Sequence, residues 1–432
     1  MIARDDILIQ LPNATKFIAA SSLYHVLLCL VLIMVTSRLL HQVLKYTFQP
    51  LVISEMIAGI LIGPSLLGYL SPDLYSYIIP ANIIPLINII AQIGIIIYMF
   101  LIGIEFDFTI FKNSNMRIMA IAKSSIAFPF ILGVGLAIWL YNNNLMLPDH
   151  MVSFSSFALF IGISMSITAF PVLARILDDQ KMQKTKLGML VLTCAAVNDV
   201  IAWCLLAFVI GLVNSVISSA FVTIIATIFY IIIMLIVIKP LIQKFSDYLI
   251  QHKYKEEQQI SLVLIALLSS ALIAEYIGIH AIFGAFLLGI IMPDNNLVVN
   301  TMAHKLKAVI CSVFLPAFFA YIGIKTQINL ISSLDSLIIC GVIITIAIIG
   351  KFGGTYMTAR LFGMNNRLAT SLGILMNTRG LVELIVLNIG LELGIISQQL
   401  FTILVIMALF TTCMTGPMLH YIKKKHRNEL MD

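Results

Sequence analysis

The chain has 432 residues, of which 60% are hydrophobic and 11% are charged. Soluble domains are about 25% charged, so this composition, with a mean hydropathy of +1.05, excludes an ordinary soluble protein and indicates many membrane spans. The formal net charge of +6 does not indicate nucleic-acid binding, because the basic residues are scattered through short segments instead of clustering on one face.

Hydropathy predicts an all-α membrane protein with about 13 transmembrane helices, each needing roughly 20 mostly apolar residues. In chain order the predicted spans are 22–44, 51–69, 85–104, 117–141, 154–177, 186–213, 219–244, 258–276, 279–293, 308–324, 335–361, 368–394 and 399–422. We expect residues 1–21 to form an extracytoplasmic segment, residues 22–422 the transmembrane domain, and residues 423–432 a short cytoplasmic tail.

The distribution of lysine and arginine predicts the orientation of the spans. If the N-terminus lies outside, most of the 26 basic residues fall in connections on the inner side, including Lys423, Lys424 and Lys425 after the last span. Short cytoplasmic loops are enriched in basic residues, so the C-terminus is predicted to be cytoplasmic. Since long tails are absent, we expect a bacterial inner (plasma) membrane.

Three short patterns recur in the two halves of the chain in the same order. Residues 59–63 resemble 285–289, residues 102–104 recur at 322–324, and residues 162–165 resemble 373–376. The matched spans are seven apart, an odd number, so they cross the membrane in opposite directions. This predicts inverted repeats at about 22–213 and 258–422 with a linker helix at about 219–244. The alternative is a chance recurrence of small-residue packing patterns.

The third pair of matched spans carries helix-breaking residues. Pro171 follows Ser166-Ile167-Thr168-Ala169-Phe170 in one span, and Gly380 follows Asn377-Thr378-Arg379 in the other. Proline removes a backbone donor and glycine weakens a helix, so both spans are predicted to be discontinuous. Broken helices expose backbone groups near the midplane, where these can coordinate a cation. A simple kink at Pro171 is the alternative.

Polar and charged residues lie at membrane depth in several spans. Asn198 and Asp199 are midway along the predicted span 186–213, and Thr168, Lys351 and Arg379 lie at similar depth elsewhere. Ionisable groups at this depth are costly and usually functional, so the pattern indicates ion or proton transport. The chain has no GxSxG, HExxH or phosphate-loop motif in a suitable context, and we expect neither an enzyme nor a cofactor.

Six motifs, three of which contain residues named above, strengthen this interpretation. They are 50–65 (PLVISEMIAGILIGPS), 100–107 (FLIGIEFD), 168–177 (TAFPVLARIL), 198–199 (ND), 278–286 (GIHAIFGAF) and 377–384 (NTRGLVEL). With them the chain resembles the monovalent cation:proton antiporter superfamily, in the branch of Kef-type transporters, NapA-type sodium/proton antiporters and plant cation/proton exchangers. The resemblance implies an NhaA/NapA-like inverted-repeat transporter fold, with two crossing broken helices. It also implies a homodimer, each protomer having a scaffold domain and a mobile core in the lipid bilayer.

The resemblance also implies roles for individual residues. The ion-binding carboxylate of the family maps onto Asp199, its polar neighbour onto Asn198, the broken-helix threonine onto Thr168 and the core lysine onto Lys351. Electrogenic members carry two adjacent aspartates, whereas this chain has Asn198 at the first position. With one titrating carboxylate to hold either a proton or a metal cation, we predict electroneutral exchange of one Na⁺ or K⁺ for one proton.

Several roles stay open at this point. Lys351 either pairs with Asp199 until a cation binds or forms a permanent structural bond. Arg379 and Glu383 are four residues apart, and we expect a structural ion pair in the broken helix in preference to direct ion binding. Glu55, Glu105 and Asp107 either attract cations or simply lie in the solvated interface.

Two other functions are compatible with the same features. One is a potassium efflux channel-like protein, for which a short tail would require a separate regulatory subunit. The other is a sodium-coupled solute symporter, which needs a larger midplane cavity and a second sodium site.

Overall fold

The structure is a computed structural model that describes residues 22–104, 116–148, 152–180, 182, 185–213, 217–252, 254–278, 280–293 and 305–425. Within these ranges the regular structure is entirely helical. The helices are α1 (Ser22–Leu44), α2 (Leu51–Ile62), α3 (Leu67–Leu70), α4 (Pro72–Ile78), α5 (Ile84–Ile104), α6 (Met116–Asn142), α7 (Phe154–Ser166), α8 (Phe170–Asp179), α9 (Lys186–Val213), α10 (Ile217–Ile233), α11 (Lys239–Gln251), α12 (Glu256–Ile277), α13 (Ala281–Ile291), α14 (Leu315–Lys325), α15 (Leu334–Ile348), α16 (Gly354–Leu361), α17 (Asn366–Met376), α18 (Leu381–Glu392) and α19 (Gln398–Lys425).

The helices agree with the predicted spans. Ten helical segments in the described ranges are long and apolar enough to cross a membrane. The other three predicted spans correspond to α7 with α8, to α9 and to α13. Wider π-helical turns join α10 to α11 and α15 to α16. The tight turn between α12 and α13 is made by Gly278, whose φ of 92° is left-handed.

Both predicted helix breaks are present. The first break, residues 167–169, separates α7 from α8, and the second break, residues 377–380, separates α17 from α18. Pro171 lies in the first turn of α8, where its missing N–H costs no helical hydrogen bond. Gly380 lets α8 approach the second break, because a Cβ there would lie 2.6 Å from Val172 Cγ2.

Two helix crossings are close enough to require glycine. A Cβ on Gly59 of α2 would lie 2.2 Å from a backbone oxygen of α14, and a Cβ on Gly323 of α14 would lie 2.5 Å from a backbone oxygen of α2. Gly103 of α5 and Gly289 of α13 meet in the same way. Under the predicted repeat α2 matches α13 and α5 matches α14, so each crossing is the counterpart of the other. This relation supports the inverted repeat, whose boundaries remain a prediction.

Candidate functional site

The two breaks bond directly to each other. The backbone N–H of Ala169 donates to the Thr378 carbonyl over 3.1 Å. Thr168 Oγ1 donates to the carbonyl of Met376, the last residue of α17, also over 3.1 Å. Each bond satisfies a backbone group that the interruption of a helix leaves without its usual partner. The breaks therefore cross as one hydrogen-bonded unit.

Asp199 lies beside this crossing, midway along α9. Its side chain is only 4% exposed, and the backbone N–H of Phe170, the first residue of α8, donates to its carboxylate. The positive end of a helix dipole stabilises a negative charge at this position. Asp199 Oδ1 is buried and has no hydrogen-bond partner among the described residues. An oxygen with unused acceptor capacity can take a metal cation or a proton.

Asn198 and Thr168 are brought together by a hydrogen bond between their side chains. Asn198 Nδ2 donates to Thr168 Oγ1 over 3.3 Å and to Ser125 Oγ of α6 over 3.0 Å. All three side chains are almost fully buried. The Asn198 amide thus links α9 to α6 and to the first break. It also holds the hydroxyl oxygens of Ser125 and Thr168 close to the residue next to Asp199 in the chain.

Lys351 lies in the π-helical turn between α15 and α16 and is fully buried. Its ammonium donates to the Ser125 carbonyl over 2.9 Å and to the carbonyl of Ser166, the last residue of α7. Among the ion pairs of the described residues, none joins Lys351 to Asp199. In this structure Lys351 therefore neutralises the negative end of the α7 dipole.

Arg379 and Glu383 form a fully buried ion pair with a distance of 2.8 Å between Nη1 and Oε1. Arg379 also donates from Nη1 to the Ser164 carbonyl over 2.8 Å and from Nη2 to the Met165 carbonyl over 2.7 Å. Arg379 and Lys351 together thus bind the last three carbonyls of α7. This arrangement holds the second break against the C-terminal end of α7, where the first break begins.

Two residues that support the breaks were not identified from the sequence. Ser125 contacts both Asn198 and Lys351, and Thr412 of α19 accepts from the Arg379 N–H over 3.0 Å and donates to the Arg379 carbonyl over 2.7 Å. The only signal in the sequence was a hydroxyl within an apolar span. Serine and threonine often bond to their own helix, so such a hydroxyl specifies no partner.

Several positions that the sequence singled out lie outside the described residues. They are Glu105 and Asp107, residues 1–21 and the end of the tail from residue 426. The roles expected for them therefore stay predictions.

The sequence of the chain is similar to those of known transporters. A family model described as "Sodium/hydrogen exchanger, transmembrane" matches residues 28–425. The chain is 42% identical over 404 residues to the Na⁺/H⁺ antiporter NhaS4 of Synechocystis sp., a match that covers 92% of this chain and 97% of that protein. It is 34% identical over 398 residues to K⁺/H⁺ antiporter 1 of Saccharomyces cerevisiae, covering 90% of this chain and 45% of the yeast protein.

The fold has a counterpart among solved structures. The sodium proton antiporter MjNhaP1 from Methanocaldococcus jannaschii superposes with a TM-score of 0.65 over 94% of this chain and 98% of that one. The two sequences are 13% identical, so the likeness identifies the transporter fold alone.

Proposed function

Since the chain belongs to the family of transmembrane sodium/hydrogen exchangers, we propose that it exchanges Na⁺ or K⁺ for protons at the Asp199 carboxylate. The chain is an integral membrane antiporter of monovalent cations, a transporter and not an enzyme. The near-complete match to NhaS4, a Na⁺/H⁺ antiporter, supports sodium as a substrate, and the similarity to the yeast K⁺/H⁺ antiporter supports potassium. The observation that carries the site is the buried Asp199 Oδ1, which has no hydrogen-bond partner in the described residues, beside two crossing breaks.

Competition for one carboxylate is sufficient for exchange. A carboxylate buried away from water is stable when it is neutralised, either by a proton or by a bound cation. Hard oxygen donors suit alkali cations, and we propose Asp199 as the principal ligand, with Asn198 and Thr168 supplying amide and hydroxyl oxygens. Alternating access then delivers a cation to one side and a proton to the other.

Neutral Asn198 supports an electroneutral stoichiometry. The site with a bound Na⁺ and the site with a bound proton carry the same net charge, because both neutralise Asp199 once. The membrane potential then favours neither direction of the exchange. If one net charge moved instead, 100 mV would contribute about 2.3 kcal/mol and shift the equilibrium cation ratio about 50-fold.

We expect purified protein in liposomes containing a pH dye to move protons when a Na⁺ gradient is applied, and to do so independently of voltage. The potential is set at either sign with a gradient of the permeant anion thiocyanate in K⁺-free buffer, while Na⁺ drives exchange. A K⁺ gradient is tested separately. If the direction of proton movement reversed with the sign of the potential, the one-for-one stoichiometry would be contradicted, but the antiport itself would not. No cation-driven pH change in either series would contradict the antiporter, and proton movement in the same direction as the cation would indicate symport.

We propose that Lys351 compensates the Asp199 charge in a state in which the carboxylate holds neither cation nor proton. We expect the effects of Lys351→Gln and Asp199→Asn on thermal stability to be coupled by about 1 kcal/mol in choline buffer at alkaline pH, and additive in saturating Na⁺ or K⁺. Additive effects in both buffers would mean that Lys351 only forms permanent structural bonds to the Ser125 and Ser166 carbonyls.

The family resemblance further supports a homodimer, and the distribution of lysine and arginine supports an N-terminus outside and a C-terminus in the cytoplasm. Helix α10 has an exposed apolar face that includes Val222, Ile225 and Phe229, which suits lipid or a second protomer. Native mass spectrometry from lipid nanodiscs tests the oligomer, and a monomer at all concentrations would contradict it. Protease access to a tag after residue 432 in everted vesicles tests the orientation.

A further inference from the structure

A second acidic side chain is buried away from Asp199. Glu55 of α2 is 3% exposed, which excludes the interpretation that it simply lies in the solvated interface. It lines a small cavity of about 30 Å³ together with Tyr98 of α5 and Cys311, in the π-helical turn before α14. A water molecule needs roughly 10–15 Å³ of such space, so the cavity has room for about two waters or a cation with one water.

The broken spans also line this cavity. Val172 lies in the first turn of α8, two residues after Phe170, whose N–H binds the Asp199 carboxylate. Leu381 is the first residue of α18 and follows the second break. The cavity therefore extends from Glu55 to the helix turns that hold the ion site.

A purely structural role explains the position of Glu55 poorly. Burying a carboxylate costs far more than burying an amide or hydroxyl, either of which can also hydrogen-bond neighbouring helices. A carboxylate beside a cavity of water size has an additional property, since it attracts cations and accepts protons. Focusing of charge by a low-dielectric cleft raises local cation concentration and entry rates by roughly 10–10³-fold.

We propose that Glu55 is a second station for the transported cation and proton, on the branch of the path that opens near the N-terminal end of α2. The charge distribution predicts that this end faces the cytoplasm. The proposal rests on the exchange function proposed above and adds a residue to its path. A cation entering from this side passes Glu55 before it reaches Asp199, whereas a cation entering from the other side reaches Asp199 first.

The KM for the cation, measured separately at each face of the membrane, tests the proposal. We expect Glu55→Gln to raise the KM for Na⁺ or K⁺ about tenfold when the cation is supplied at the cytoplasmic face, and to leave the KM at the opposite face unchanged. Glu55→Asp, which keeps the negative charge, should have a cytoplasmic KM close to that of the wild type. The matched control is Glu256→Gln, which removes an exposed carboxylate paired with Lys305 outside the cavity and should change neither KM. An equal change at both faces, or none, would overturn the proposal.

Cys311 provides a second measurement that does not depend on transport. In a chain whose other five cysteines are replaced by serine, we expect Ag⁺, a thiol-reactive cation small enough for this cavity, to react with Cys311. The rate of this reaction should fall about tenfold in Glu55→Gln. An unchanged rate would assign Glu55 to helix packing only. Because this reaction needs no exchange, a chain whose reaction rate depends on Glu55 but that moves no cations would contradict the proposed antiport and not the station at Glu55.

Discussion

Replacing Asp199 with asparagine is expected to abolish cation-driven proton movement while leaving the protein folded. Asparagine has nearly the same shape and can still accept the N–H of Phe170, but it can neither bind a proton at its oxygen nor neutralise a cation. Removing one partner of a buried charge pair costs about 3–5 kcal/mol, which corresponds to a loss of about 10²–10⁴-fold in cation affinity. Dye measurements in proteoliposomes should then match empty liposomes.

Two controls make this result specific. Asp335→Asn removes an exposed carboxylate in the first turn of α15, at the end opposite to the turn that carries Lys351, and is expected to exchange normally. Thermal unfolding of Asp199→Asn should occur near the wild-type temperature, but added Na⁺ or K⁺ should no longer raise it, because a cation stabilises only a protein that binds it. Cation-dependent proton flux that survives in Asp199→Asn would remove Asp199 from the transport site.

The second large effect is expected at the buried pair of Arg379 and Glu383. Replacing either residue alone, with Arg379→Met or Glu383→Leu, leaves the other charge buried without its partner and should lower the free energy of unfolding by about 3–5 kcal/mol. The double variant should lose less than the sum of the two. It should not regain wild-type stability, because the Ser164 and Met165 carbonyls also lose their donors. Thermal unfolding of the detergent-solubilised variants measures these differences.

A further variant, Glu383→Gln, distinguishes a structural pair from a cation ligand. If Glu383 only stabilises the broken helix, Na⁺ or K⁺ should raise the unfolding temperature of Glu383→Gln by the same amount as in the wild type. Loss of this cation effect with retained folding would instead place Glu383 at the transported ion. Strictly additive single effects would show that the two charges do not stabilise each other.

Hydropathy and helix-breaking residues predicted much of this molecule. The span positions follow from local composition, because about 20 apolar residues are needed to cross a bilayer wherever the chain lies. The two breaks follow from Pro171, Gly380 and their polar neighbours for the same local reason. The depth of Asp199 was also readable, since it depends only on the position of a residue within its span.

Contacts between distant segments were not readable from those patterns. The sequence left Lys351 between two roles, and the structure places its ammonium on the carbonyls of Ser125 and Ser166, about 200 residues away in the chain. The spacing of Arg379 and Glu383 suggested their pair, but not that Arg379 also binds the end of α7. Such contacts depend on how each helix is rotated and which helix it crosses.

The sequence by itself determined that this protein crosses the membrane many times, where two of its helices are interrupted, and which carboxylate lies at membrane depth. These properties follow from the free energy of placing each side chain in a bilayer and from the backbone limits of proline and glycine. The tertiary structure alone decided which backbone N–H faces Asp199, which carbonyls the buried cations satisfy and that Glu55 faces a cavity. Those features depend on the packing of helices from both halves of the chain, which no local pattern specifies.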